Sequence, residues 1–160
     1  MADVFDELIG QDVAVAQLKA AAHDAPSARA GARTTAMTHA WLITGPPGSG
    51  RSTAALAFAA ALVCPRGGCG ECEECDLARH SAHVDVEHIV PEGVEYVRTE
   101  VDRIMERASY VPSKSAWQVI VVEDADRFSD VVANSLLKSI EEPAPGTVWI
   151  LCAPSTEDVL

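Results

Sequence analysis

Four short apolar runs punctuate the chain: Ala40 to Thr44, Val84 to Val90, Gln118 to Glu123 and Thr147 to Cys152. Each reads as a strand buried within a sheet. Helical periodicity lies between and around them. Asp12 to His23 predicts one helix, and the Ala-rich stretch Thr53 to Leu62 predicts a second. Val97, Val101, Ile104, Met105 and Ala108 fall on one face of a third. A fourth runs from Ser129, a candidate N-cap, to Glu142, where Pro143 ends it. Asp24 to Thr38, rich in Ala, Ser, Thr, Gly and Pro, predicts a loop. Strands alternating with helices predict an α/β domain whose parallel sheet is covered on both faces, in three layers.

The first strand runs straight into Gly45-Pro46-Pro47-Gly48-Ser49-Gly50-Arg51-Ser52, with Thr53 opening the helix that follows. Strand, glycine loop, helix is the shape of a phosphate-binding P-loop. Its glycines let backbone N–H groups turn inward around phosphate oxygens, and the helix aims its positive dipole end at the same anion. The pattern calls for lysine before the hydroxyl residue, and Arg51 stands there instead. Arginine keeps the charge but is bulkier and forked, which favours binding of phosphate over geometry tuned for hydrolysis. The plainer alternative is a Gly/Pro turn joining a strand to a helix.

The third strand delivers Glu123, Asp124 and Asp126 to the end of the sheet. In P-loop proteins such carboxylates hold Mg²⁺ against the phosphates and polarise water. The usual order is Asp for the metal and then Glu for the water. Here the order is inverted to Glu123-Asp124, and each side chain differs by one methylene from its counterpart. A misplacement on the order of 1 Å can cost about a hundredfold in rate, so the pair predicts a weak or dead ATPase. A solvated strand end with a helix-capping role is the alternative.

Four of the five cysteines cluster as Cys64-x4-Cys69-x2-Cys72-x2-Cys75. Two-residue spacers let neighbouring thiolates turn onto one ion, and four sulfurs close the tetrahedral shell of structural Zn²⁺. Gly67, Gly68 and Gly70 supply the turns. An iron–sulfur cluster and free thiols are the alternatives, the former disfavoured because its fourth cysteine follows downstream beside proline. Cys152, inside an apolar run, reads as a small buried hydrophobe.

At 160 residues the chain allows one domain with a sizeable core. Acidic Asp3, Asp6 and Glu7 stand where a signal peptide would be basic, and no apolar run is long enough to span a bilayer, so a cytoplasmic location without membrane is expected. The net charge of −12, with no basic cluster, makes this segment alone a poor DNA binder.

Longer phrases carry a family resemblance across nearly the whole chain. They are Phe5-Asp6-Glu7-Leu8-Ile9-Gly10-Gln11, His39-Ala40-Trp41-Leu42, Asp124-Ala125-Asp126-Arg127 and the highly specific Ala133-Asn134-Ser135-Leu136-Leu137-Lys138-Ser139-Ile140-Glu141-Glu142-Pro143. With the four-cysteine module in the corresponding place, the chain resembles the N-terminal nucleotide-binding domain of bacterial DNA polymerase III clamp-loader subunits, which are AAA+ proteins with a RecA-like P-loop fold. The resemblance implies ATP with Mg²⁺ as a possible ligand, Ser155 at a polar sensor position near the γ-phosphate, and Val4 and Ile9 near the adenine. It implies residues 1–38 as a lead-in helix and loop, and 39–160 as an incomplete core with the zinc module 64–75 inserted. A fifth strand beside the first, a lid and a collar domain would lie beyond the chain, making it a fragment or a truncated form. Two subunit types share this architecture, the gamma/tau motor and delta prime. Arg51, Glu123 and Asp124 depart from the motor pattern and point to the delta prime type, a largely structural member working with delta and gamma/tau to load the sliding clamp on primed DNA. A gamma/tau-like active ATPase and an ATP-sensing scaffold outside replication are the alternatives.

Overall fold

Strands and helices alternate along the computed structural model of the chain, which describes residues 3–8, 10–46 and 48–158. Their order is α1 (Asp12–Arg29), β1 (Ala40–Thr44), α2 (Arg51–Val63), α3 (Glu73–Arg79), β2 (Val86–Ile89), α4 (Arg98–Ala108), β3 (Gln118–Val122), α5 (Asp130–Glu141) and β4 (Thr147–Ala153), with 3₁₀ turns at Ala125–Arg127 and Thr156–Asp158. The strands form one parallel sheet in the order β1-β4-β3-β2. The α/β architecture expected from the alternation is therefore present.

Successive side chains of a strand point to opposite faces, and the interior strands show it directly. Val119 and Val121 of β3 and Val148, Ile150 and Cys152 of β4 pack with Leu18 of α1, Phe58 of α2 and Ala78 of α3. Their neighbours Ile120, Val122 and Trp149 pack on the other face with Val101 and Ile104 of α4 and Leu136 of α5. Each fully buried Val, Ile or Phe contributes roughly 1.5–3 kcal/mol, which is why β3 and β4 are apolar throughout. The outer strands are less covered; Leu42 of β1 is 38% exposed. After its polar first residues helix α2 is apolar all round, since Ala55 and every residue from Ala57 to Val63 are buried.

Four expectations need correction. Helix α1 does not stop at His23 but continues through Pro26 to Arg29. Proline removes one helical N–H, and the last turn is held instead by tertiary contacts: Ala25 is buried, and the Arg29 Nε donates to the Ala116 carbonyl at 2.7 Å. Helix α3 had no counterpart among the expected helices. Strand β2 is shorter than the run Val84 to Val90, whose two ends are more than half exposed. Val97 is not on the buried face of α4 but is its N-cap, with its backbone N–H donating to Glu100 Oε1 at 3.0 Å.

Because all strands run the same way, their C-terminal ends share one edge of the sheet. Thr44 leads there into the glycine loop, and Ile89, Val122 and Ala153 end beside it. Among the described residues no helix is long and apolar enough to cross a membrane.

Candidate functional site

The loop after β1 is built for close approach. Gly48 and Gly50 adopt φ of +84° and +89°, and Gly50 is the left-handed residue at which α2 begins. An α-helix leaves the N–H groups of its first turn without intrahelical partners, and Gly50 has no side chain with which to cap them. Ser49 N–H donates to the Pro46 carbonyl at 3.0 Å, closing the turn. Gly48, Gly50, Arg51, Ser52 and Thr53 line an open cleft of about 500 Å³, whose opposite wall is His88, Val90, Glu123 and Asp124. Thr53 also borders a smaller cavity of about 220 Å³ lined by Val4, Leu56 and Arg79.

Inside the cleft the charged groups are committed to one another. The Arg51 guanidinium donates to the Gly45 carbonyl at 2.8 Å and to Asp124 Oδ1 at 2.9 Å. The Ser52 hydroxyl donates to Glu123 Oε2 at 2.8 Å, and His88 Nε2 lies 3.1 Å from Glu123 Oε1. His88 is held from behind by the Ser81 hydroxyl, 2.8 Å from Nδ1. Burial alone would raise the Glu123 carboxyl, but hydrogen bonds from His88 and Ser52 and the Arg51 charge outweigh it and hold it below the usual carboxylate range. Asp124 has φ +49° and ψ +50°, a left-handed conformation that aspartate tolerates better than most residues. The Tyr96 hydroxyl donates to the Glu123 carbonyl at 2.5 Å and to the Ile89 carbonyl at 3.3 Å, and its ring stacks on Phe128. Tyr96 thereby ties the ends of β2 and β3 together.

The cysteines form a second centre. Cys64 ends α2, Cys72 is the N-cap of α3 and Cys75 lies in its first turn. The four Sγ atoms of Cys64, Cys69, Cys72 and Cys75 all lie within 4.8 Å of one another, with Cys64 3.7 Å from Cys69 and 3.6 Å from Cys72. Disulfide sulfurs would stand about 2.05 Å apart, whereas a tetrahedron of Zn–S bonds near 2.3 Å has edges of about 3.8 Å. All four are free thiols, and their arrangement fits a metal ion. The Cys69 thiol is lowered to about 6 by the backbone N–H of Glu71, in contrast to Cys75, which burial pushes up. Cys152 is buried beneath the cleft, its thiol pushed up to about 12 by that burial.

Of the residues singled out in the sequence, Gly48, Gly50, Arg51, Ser52, Thr53, Glu123 and Asp124 converge on the cleft. Gly45, Pro46 and Ser49 belong to the same loop, and Val4 lines the adjoining cavity. Ser155 follows β4 and is half-buried, but it is not among the residues lining the cleft. Pro47 and Ile9 lie outside the described residues. His88, Ser81 and Tyr96 were not foreseen; sheet topology, which sets β2 beside β3, brings His88 to Glu123, while Ser81 reaches His88 and Tyr96 the Glu123 carbonyl from the loops on either side of β2.

A family model described as DNA polymerase III, delta subunit, matches residues 26–160. The chain belongs to this family. Within the DNA polymerase III delta subunit family it is 36% identical over 120 residues to the DNA polymerase III subunit delta' of Pseudomonas aeruginosa, an alignment covering 71% of this chain and 36% of that protein. It is 29% identical over 161 residues to the DNA polymerase III subunit gamma/tau of Mycobacterium bovis, covering 98% of this chain and 26% of that protein. A crystal structure of a DNA polymerase III gamma subunit-related protein from Thermotoga maritima shares the fold, with a TM-score of 0.63 at 20% identity, over 90% of this chain and 41% of that one. The chain thus spans little more than a third of the delta' relative's length.

Proposed function

We propose that this chain is the nucleotide-binding-fold portion of a delta prime type clamp-loader subunit, a scaffold that acts in DNA replication by helping its complex load the sliding clamp on primed DNA. The observation that carries the reading is the arginine in the P-loop. Arg51 stands where a motor has lysine and is spent on Gly45 and Asp124 within the protein. Greater identity to a delta' relative than to a gamma/tau relative supports the same choice. Nucleotide can enter the cleft, its phosphates on the loop and its base toward Val4, but the inverted carboxylates leave hydrolysis near background. Residues 1–38 lead into the core formed by 39–160, within which the module 64–75 holds a structural Zn²⁺ that fixes the connection between α2 and β2 away from the phosphates. Partners are the delta and gamma/tau sister subunits in the cytoplasm, with clamp and DNA reached through the assembly, since a net charge of −12 makes this segment alone a poor DNA binder. The test is steady-state ATP turnover of the purified protein alone. Turnover at background is expected, and steady turnover would restore the gamma/tau-like motor reading.

A further inference from the structure

We propose that the cleft accepts the phosphates of a nucleotide without a divalent cation, because His88 already occupies the oxygen of Glu123 that would be left to hold the metal. The inference rests on the reading of the cleft as a nucleotide site. Magnesium demands a near-octahedral shell of oxygens at about 2.0–2.1 Å, and P-loop sites provide it a carboxylate and the lone pair of the loop hydroxyl. The Ser52 hydroxyl gives its proton to Glu123 Oε2 at 2.8 Å and keeps its own lone pairs, so Oε1 is the carboxylate oxygen left to meet a cation. His88 Nε2 stands 3.1 Å from Oε1, a separation that requires a proton on that nitrogen, since two lone pairs would repel. Ser81 fixes the ring by its 2.8 Å contact to Nδ1, and Tyr96 fixes the backbone of Glu123 from the other side. A cation at Oε1 would face an N–H pointed at it.

The same groups do part of a metal's work. His88 places a polar hydrogen against Glu123, and Arg51 balances Asp124 at 2.9 Å, so the two carboxylates present less negative charge to an incoming phosphate. The guanidinium carries five N–H donors in a planar fork that matches phosphate oxygens, and Arg51 lines the cleft. Glu123 is thus a partner of the protein's own donors, where the P-loop pattern would make it a metal ligand.

The decisive experiment titrates the intact chain with ATPγS by calorimetry, once in millimolar MgCl₂ and once in EDTA. The expected dissociation constants agree within about fivefold. Tightening by Mg²⁺ beyond that factor overturns the inference and leaves the nucleotide site standing, whereas absence of binding in both media overturns the nucleotide reading itself. A His88→Ala variant, checked for an unchanged melting temperature, frees Oε1 and is expected to become Mg²⁺-dependent by more than about fivefold. If it binds equally in both media, His88 is not the group that excludes the metal.

Discussion

Arg51 lines the cleft with its fork spanning Gly45 and Asp124. Lysine lacks the planar fork that spans both partners, so an Arg51→Lys variant holds them less firmly and presents a compact ammonium to the phosphates. Calorimetry should show ATP binding tightened by roughly fivefold to tenfold, and unchanged affinity would mean that the internal contacts do not compete with phosphate. Adding Glu123→Asp and Asp124→Glu should lift turnover at least about tenfold above that of the unaltered protein. A second residue acts on stability. Asp85 is 1% exposed and accepts hydrogen bonds from the N–H groups of Ser113, Lys114 and Ser115 and from the Ser115 hydroxyl. Burial pushes its carboxyl up, but those donors outweigh burial and hold it below the ordinary value. A group whose folded-state value is depressed stabilises fully above its unfolded value, near 3.9, and loses that contribution as pH falls through the folded value. Asp85→Asn should therefore cost roughly 2–3 kcal/mol in urea unfolding at neutral pH, with the gap to the unaltered protein narrowing in acid. A gap independent of pH would show that the charge on Asp85 is not what counts.

At the level of elements, the cysteine module joins α2 to α3 and also grips the start of the chain. Gly68 has φ +109°, its carbonyl accepts from Val4 N–H at 3.2 Å, and a Cβ there would come within 2.9 Å of Val4 and 3.1 Å of Ala61. A Gly68→Ala variant should lose about 2 kcal/mol and detach Val4 from the cavity beside Thr53; an unchanged melting curve would refute the tight packing. Metal removal should act on the same elements. Purified protein is expected to contain about one zinc per chain, and stripping it should lower the melting temperature by several degrees. Protein without zinc, or with iron–sulfur absorbance, would sink that assignment. The same elements show what could be read beforehand. Strands β3 and β4 were legible because interior strands are apolar on both faces, and the glycine loop because its glycines meet a strand and a helix. The end of α1 was hidden by Pro26, although Leu18, Ala21, Ala22 and Ala25 keep a helical period up to it and Ala28 packs on the core beyond it. Helix α3 was masked by cysteines whose spacing speaks of metal more loudly than of backbone. His88 and Tyr96 carried no local signal, since their role comes from sheet order and from a loop folding back over the ends of β2 and β3.

For the molecule as a whole, surface charge and sheet edges matter most. With twelve basic residues against twenty-four acidic ones, the domain repels DNA and suits packing against other proteins. Strand β1 pairs with β4 on one side and has no strand on its other side among the described residues. An uncovered strand edge is where a further strand, from any chain, can add. Both features accord with a scaffold whose role is exercised in an assembly, the central claim here. The most direct test is to mix the protein with the delta and gamma/tau subunits of the same organism and follow the mixture by size-exclusion chromatography. The protein is expected to elute within one stable complex with both, and failure to join any such complex would contradict the scaffold role.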